Sequence, residues 1–164
     1  MILGLGTDLV DIAELRRRLE RTPEIRTQVY DPTELAWCEA RRPPWPWLAE
    51  CFAAKEAVMK SLGTGWAQGV TFRDIVVEWS ALSAASPAPA PGERPRPRVR
   101  LSGEAADRVA AQGGEVHLSL SHDGNYAVSI AVLSSAVRDP SPDRDPGSDR
   151  DRDPDPDPSP DRDR

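Results

Sequence analysis

Phe52-Ala53-Ala54-Lys55-Glu56-Ala57-Val58-Met59-Lys60-Ser61-Leu62-Gly63 is the stretch around which the rest of this chain can be arranged. Wound as a helix at about 100° per residue, it lines up Cys51, Ala54, Val58 and Leu62 as an apolar stripe suited to a core. Glu56 and Lys60, four residues apart, share the opposite side, with Phe52 and Met59 flanking them. An exposed acid–base pair at that spacing is by itself worth roughly a few tenths of a kcal/mol. Its interest comes from two other segments.

The chain opens with Met1-Ile2-Leu3-Gly4-Leu5-Gly6-Thr7-Asp8, an apolar strand expected to end on the Asp8 carboxylate. Gly4 and Gly6 leave room for another backbone or a ligand to come close. Further on, Val116-His117-Leu118-Ser119-Leu120-Ser121-His122 alternates, with Val116, Leu118 and Leu120 on one face and Ser119 and Ser121 on the other. His122 is expected at the strand end. Asp123-Gly124-Asn125 then turns the chain into Tyr126 to Leu133, which reads as a hairpin. A strand-end Asp, a helical Glu with a Lys one turn on, and a strand-end His are the parts of a metal-assisted phosphate site. His117, with no motif behind it, reads as a sheet-surface residue.

These segments together resemble the holo-acyl-carrier-protein synthase family, the short branch of the phosphopantetheinyl transferases. Gly4-Leu5-Gly6-Thr7-Asp8, the Phe52 to Lys60 helix and Ser119-Leu120-Ser121-His122 stand in the family's order, with Gly63-Thr64-Gly65 and Phe72-Arg73-Asp74-Ile75 in support. The resemblance runs from Met1 to about Val137. It implies transfer of 4′-phosphopantetheine from coenzyme A to a serine of apo acyl carrier protein, leaving adenosine 3′,5′-bisphosphate. It implies Mg²⁺ on Asp8 and Glu56, since magnesium takes one or two carboxylates plus phosphates and water. Glu56, Lys60 and His122 become the catalytic candidates, and Lys60, Gly63, Ser121 and His122 the coenzyme contacts. A water on the cation, or Glu56 acting through one, is the candidate base for the serine proton. A single unit of this kind implies self-assembly, and the resemblance points to a homotrimer in which His122 acts across a subunit boundary.

Two positions depart from the family pattern. Glu14 stands where many members carry an arginine that grips the carrier, with Arg16, Arg17 and Arg18 close enough to take over. Cys51 stands where an arginine often lies near the coenzyme's phosphates. These two changes are what favours the main alternative, a non-catalytic module that holds coenzyme A or a carrier protein. A structural trimer whose tail recruits a partner and a metal phosphohydrolase are further readings, the last weakened by the lack of other metal-ligand clusters.

At 164 residues the chain is long enough for one domain. Residues 1–137 are read as that domain. Residues 138–164 are read as a disordered Asp/Pro/Arg-rich tail, since Asp139 to Arg164 holds ten Asp, seven Pro, five Arg, three Ser and one Gly and nothing apolar to bury. Ten Asp against five Arg leave −5 there, out of −6 for the whole chain, so the domain is near neutral. No basic excess points to nucleic acid, and no run approaches the roughly 20 apolar residues of a membrane span. Two cysteines are too few for a disulfide framework, and Cys51 reads as a small buried hydrophobe. A start without a charged leader gives a cytoplasmic expectation.

Along the domain, Leu9 to Leu19 has helical spacing up to Thr22-Pro23, and Glu34 to Arg42 reads as a second helix behind Asp31-Pro32. The key helix is expected to begin near Leu48. Trp66 to Gly69 reads as loop, Ile75 to Trp79 as a strand, Ala81 to Arg98 as a mobile Pro/Ala-rich insertion, and Val99 to Leu101 as the next strand. Gly103 to Gln112 is helical, closed by Gly113-Gly114. The order β-α-α-α-β-β-α-β-β predicts an α+β fold with helices packed on a mostly antiparallel sheet.

Overall fold

The computed structural model describes residues 1–64, 69–79 and 96–135. The expected loop at Trp66, most of the 81–98 insertion and the acidic tail lie outside the described residues. Five strands and five α-helices follow in order among those described: β1 (Ile2–Asp11), α1 (Ile12–Arg21), α2 (Glu24–Val29), α3 (Pro32–Glu39), α4 (Trp45–Ser61), β2 (Ile75–Trp79), β3 (Pro97–Leu101), α5 (Gly103–Ala111), β4 (Gly114–Asp123) and β5 (Tyr126–Ser135). The α+β expectation holds, with two antiparallel sheets in place of one. A three-stranded sheet runs β1-β5-β4, and β2 and β3 form a separate pair.

Helix α4 is the keystone, lying mainly across β1 and β5. Gly4 and Gly6 permit that contact: a Cβ on Gly4 would collide with the Ser61 carbonyl, and one on Gly6 with the carbonyl of Ala57. The neighbour for which these glycines make room is therefore the α4 backbone. The expected stripe of Cys51, Ala54, Val58 and Leu62 is in the core, but so are Ala53, Ala57 and Met59. Met59 does not flank an exposed face, because other elements close over α4 on nearly every side. The helix also starts at Trp45, three residues before its expected start, with Pro46 tolerated in the first turn.

Lys55 is fully buried and holds α4 to the second sheet. Its ammonium lies 2.8 Å from Glu34 Oε2 and donates to the carbonyls of Phe72 (3.0 Å) and Ile75. Glu34 accepts in turn from the Val77 and Asp31 backbone N–H groups, each at 2.7 Å, the second completing the capping box that starts α3. Burial pushes the Glu34 carboxyl up and the Lys55 ammonium down, against their mutual attraction.

Several boundaries differ from expectation. Strand β1 does not end at Asp8. It continues to Asp11, pairing Leu9 with Val128 and Val10 with Ala127, and α1 begins at Ile12. Asp11 makes the break, its side chain capping α1 by accepting from Glu14 N–H at 2.8 Å. A short helix, α2, follows Pro23 where none is expected. Strand β3 begins at Pro97, so 97 and 98 belong to it and not to the insertion. His122 lies inside β4, paired with Ala127, because the hairpin turn takes only Gly124-Asn125 between Asp123 and Tyr126.

The sheet's two faces differ in character. Inward, Val10, Ala127, Ser129, Ala131 and Leu133 are buried beneath α4. Outward, Leu5, Leu9, Tyr126, Val128 and Ile130 are exposed, Leu5 at 65% and Leu9 at 63%. Register places them in rows, Leu9–Val128–Ser121 beside Thr7–Ile130–Ser119. His117 is on this outer face, its Nε2 3.0 Å from Ser134 Oγ, as expected for a surface residue.

Candidate active site

Asp8 is on the inward face of β1, mid-strand, opposite Ser129. The close β1–α4 approach brings Lys60 over it: Lys60 Nζ lies 2.7 Å from Asp8 Oδ1 and donates to the Thr7 carbonyl at 3.0 Å. Asp8 is largely shielded, with 17% of its side chain exposed, whereas Lys60 keeps 49%. Glu56, half-buried one turn before Lys60, lines a cavity of about 570 Å³ together with Asp8, Asp11, Glu14, Arg18 and Phe52. Its wall carries the carboxylates of Asp8, Asp11, Glu14 and Glu56 and the Arg18 guanidinium, with Asp8 paired to Lys60 and Glu14 to Arg17 and Arg18. Gly63 follows α4 with φ 66° and open space around its Cα.

His122 is elsewhere. It lies on the inward face of β4 in a second cavity of about 470 Å³, with Trp37, Arg41, Trp47, Glu50 and Trp79. The two cavities share no lining residue. One chain thus brings Asp8, Glu56 and Lys60 together and leaves His122 apart. Ser121 and His122, successive on a strand, point to opposite faces. Ser121 is exposed on the outer, apolar face, so the two cannot meet one ligand from the same side of the sheet.

The two departures from the family pattern are both engaged. Glu14 holds Arg17 at 2.7 Å and Arg18 at 3.0 Å, and those contacts pull its carboxyl below the usual range. Arg16 pairs with Glu20 and lies over the Trp45 ring. Cys51 is fully buried, its sulfur 3.7 Å from that of Cys38, and burial pushes the thiol well up. It is a core residue, as expected.

Sequence reading missed Glu50 and the tryptophan cluster. Glu50 is nearly buried, with Oε1 2.7 Å from His122 Nδ1, and Trp47 meets the same ring edge-on at 5.0 Å. Trp37 stacks on Trp79 and meets Trp47 edge-on. The i, i+3 spacing of Trp47 and Glu50 on α4 was an available signal.

Fold and site define an α+β protein in which a central helix presents an acid and a lysine against a strand carboxylate. The chain belongs to the 4′-phosphopantetheinyl transferase superfamily, whose family model matches residues 4–131. It is 38% identical over 141 residues to a holo-[acyl-carrier-protein] synthase of Anaeromyxobacter dehalogenans, covering 83% of this chain and 98% of the relative. Among solved structures, the holo-[acyl-carrier-protein] synthase of Neisseria meningitidis superposes with a TM-score of 0.67 at 29% identity, over 82% of this chain and all of that one. The Bacillus anthracis enzyme in complex with CoA (3′,5′-ADP) gives 0.63 at 28% identity, over 83% and 99%. No helix among the described residues is long and apolar enough to cross a membrane.

Proposed function

We propose that this chain transfers 4′-phosphopantetheine from coenzyme A to a serine of an apo acyl carrier protein, releasing adenosine 3′,5′-bisphosphate. The observation that carries this reading is that Asp8 and Glu56 line one acidic cavity and Lys60 pairs with Asp8, in a chain whose relatives are holo-acyl-carrier-protein synthases. The serine oxygen bonds to the pantetheine-side phosphorus. The bond to the bridging oxygen breaks, and its electron pair leaves with the nucleotide. Glu56, acting through a water, takes the serine proton. Lys60 brings a compact positive charge to the phosphate oxygens on which charge grows.

The donor set fits Mg²⁺. Asp8 and Glu56 supply two carboxylates on one cavity. That matches an ion that draws its remaining ligands from water and substrate phosphates. Asp8 and Glu56 would hold it, and when bound it would supply neutralisation of charge on the phosphates.

A homotrimer completes the reading. The exposed outer row of Leu5, Leu9, Val128 and Ile130 favours a second copy as cover. The separation of His122 from Asp8 favours a site shared between copies, with Lys60 and Gly63 of one and His122 of the next meeting the coenzyme. Ser121, exposed on that same outer face, would then lie at the boundary between copies. The setting is cytoplasmic. Incubation with apo carrier and coenzyme A, with Mg²⁺ or with a chelator, tests the activity by intact mass. Gain of one phosphopantetheine per carrier with Mg²⁺ alone is the expected result; an unmodified carrier across a panel would remove the reading.

A further inference from the structure

We infer that Glu50 is a positioning residue for His122, fixing which imidazole nitrogen faces the tryptophan-lined cavity. The inference rests on the reading of His122 as a coenzyme contact. Glu50 is on α4 and His122 on β4, 72 positions apart in sequence, yet Oε1 and Nδ1 are 2.7 Å apart. Only 6% of the Glu50 side chain is exposed, against 30% of His122. A carboxylate oxygen can only accept, so Nδ1 carries the proton, and Nε2, on the ring's other edge, becomes the atom offered to a ligand.

Further contacts make the arrangement rigid. Ser129 Oγ on β5 donates to the Glu50 backbone carbonyl at 3.1 Å, tying this turn of α4 to the sheet. Trp47, one turn before Glu50, meets the His122 ring edge-on at 5.0 Å. The ring is thus restrained by a hydrogen bond on one edge and an indole beside it. Arg41 and Arg96 are the other charged groups lining the cavity. A phosphate oxygen arriving at Nε2 finds a donor in the doubly protonated ring, with Glu50 as the countercharge. In the uncharged ring, Nδ1–H on Glu50 leaves Nε2 as an acceptor for a hydroxyl or amide.

Glu50→Gln tests this, since the amide keeps the shape but offers either an oxygen or an NH₂ to the ring. In the wild-type protein, ¹⁵N shifts of neutral His122 should show the Nδ1–H tautomer, and in Glu50→Gln a mixture. KM for coenzyme A should rise about tenfold, as expected for a lost charge-assisted hydrogen bond, with kcat within about twofold. In a His122→Ala background, where coenzyme A affinity is read by calorimetry because turnover is lost, Glu50→Gln should add nothing further. A wild-type KM in Glu50→Gln, or the same penalty with and without His122, would overturn the assignment. Should Glu50→Gln fail to fold, Glu50→Asp, which draws the carboxylate back by one methylene, takes the same measurements. If His122→Ala alone has wild-type kinetics, the coenzyme role of His122 falls, while the tautomer measurement still decides whether Glu50 orients the ring.

Discussion

The two lysines of the α4 motif are five residues apart and serve different ends. Lys60 meets Asp8 with half its side chain exposed, whereas Lys55 is sealed against Glu34. Lys60→Ala should cut turnover while leaving the melting temperature nearly unchanged. Lys55→Met should do the reverse: it leaves the Glu34 charge buried without its partner, a loss of about 3–5 kcal/mol, read by urea titration. Asp8→Ala and Glu56→Ala should each lower transfer by about 10²-fold or more with the fold intact, because each removes a carboxylate from a charge-stabilising site. Near-normal turnover at saturating Mg²⁺ in either variant would place the cation elsewhere. Lys60 was legible in the sequence because a helical projection sets it on Glu56's side. Lys55 was not, because a projection gives an angle and says nothing of the element that covers it. Glu50 was hidden for a related reason: its partner comes from a strand 72 residues away.

At the level of elements, local chemistry explains both what could be read and what could not. The α3 start was legible, since Asp31-Pro32-Thr33-Glu34 carries its own cap: Asp31 Oδ1 accepts from Thr33 N–H at 2.9 Å and from the Thr33 hydroxyl. The β1–α1 boundary was not, because Leu9 and Val10 suit either element. Strand pairing with Val128 and Ala127, more than a hundred residues away, decides for β. The division into two sheets was equally hidden, as alternation within a strand does not name its partner. Asp31 also gives a pH prediction. Hydrogen bonds from Thr33, partly opposed by burial, hold its carboxyl below the ordinary value of 3.8. A folded-state value below the unfolded one stabilises at pH above the unfolded value, and the gain disappears as pH falls through the folded value. Asp31→Ala should therefore cost about 1 kcal/mol at pH 7, a usual figure for a lost N-cap. As pH falls through the folded value the gap to wild type should narrow, which denaturant melts at pH 7 and at a series of lower pH values would show.

At the scale of the whole molecule, the unsatisfied surfaces belong together. One chain leaves an apolar sheet face exposed and sets Asp8 and His122 in two separate cavities. A second copy seated on the sheet face would bury Leu5, Leu9 and Val128, and the proposed sharing of the site requires it also to bring one chain's His122 cavity to its neighbour's Asp8. A contact that joins two different patches forms a ring where the rotation closes, and three copies are the number the family resemblance implies. Asp8→Ala and His122→Ala, each inactive alone, should then complement each other. In randomly mixed rings about a quarter of the interfaces pair an intact Asp8 cavity with an intact His122 cavity. Activity should recover toward that fraction once the subunits have exchanged, with exchange followed by native mass spectrometry on isotope-labelled copies. Leu9→Asp, which places a charge on the outer face, should give a folded monomer with little turnover. Full activity from a monomer, or no recovery after complete exchange, would return Asp8 and His122 to a single chain.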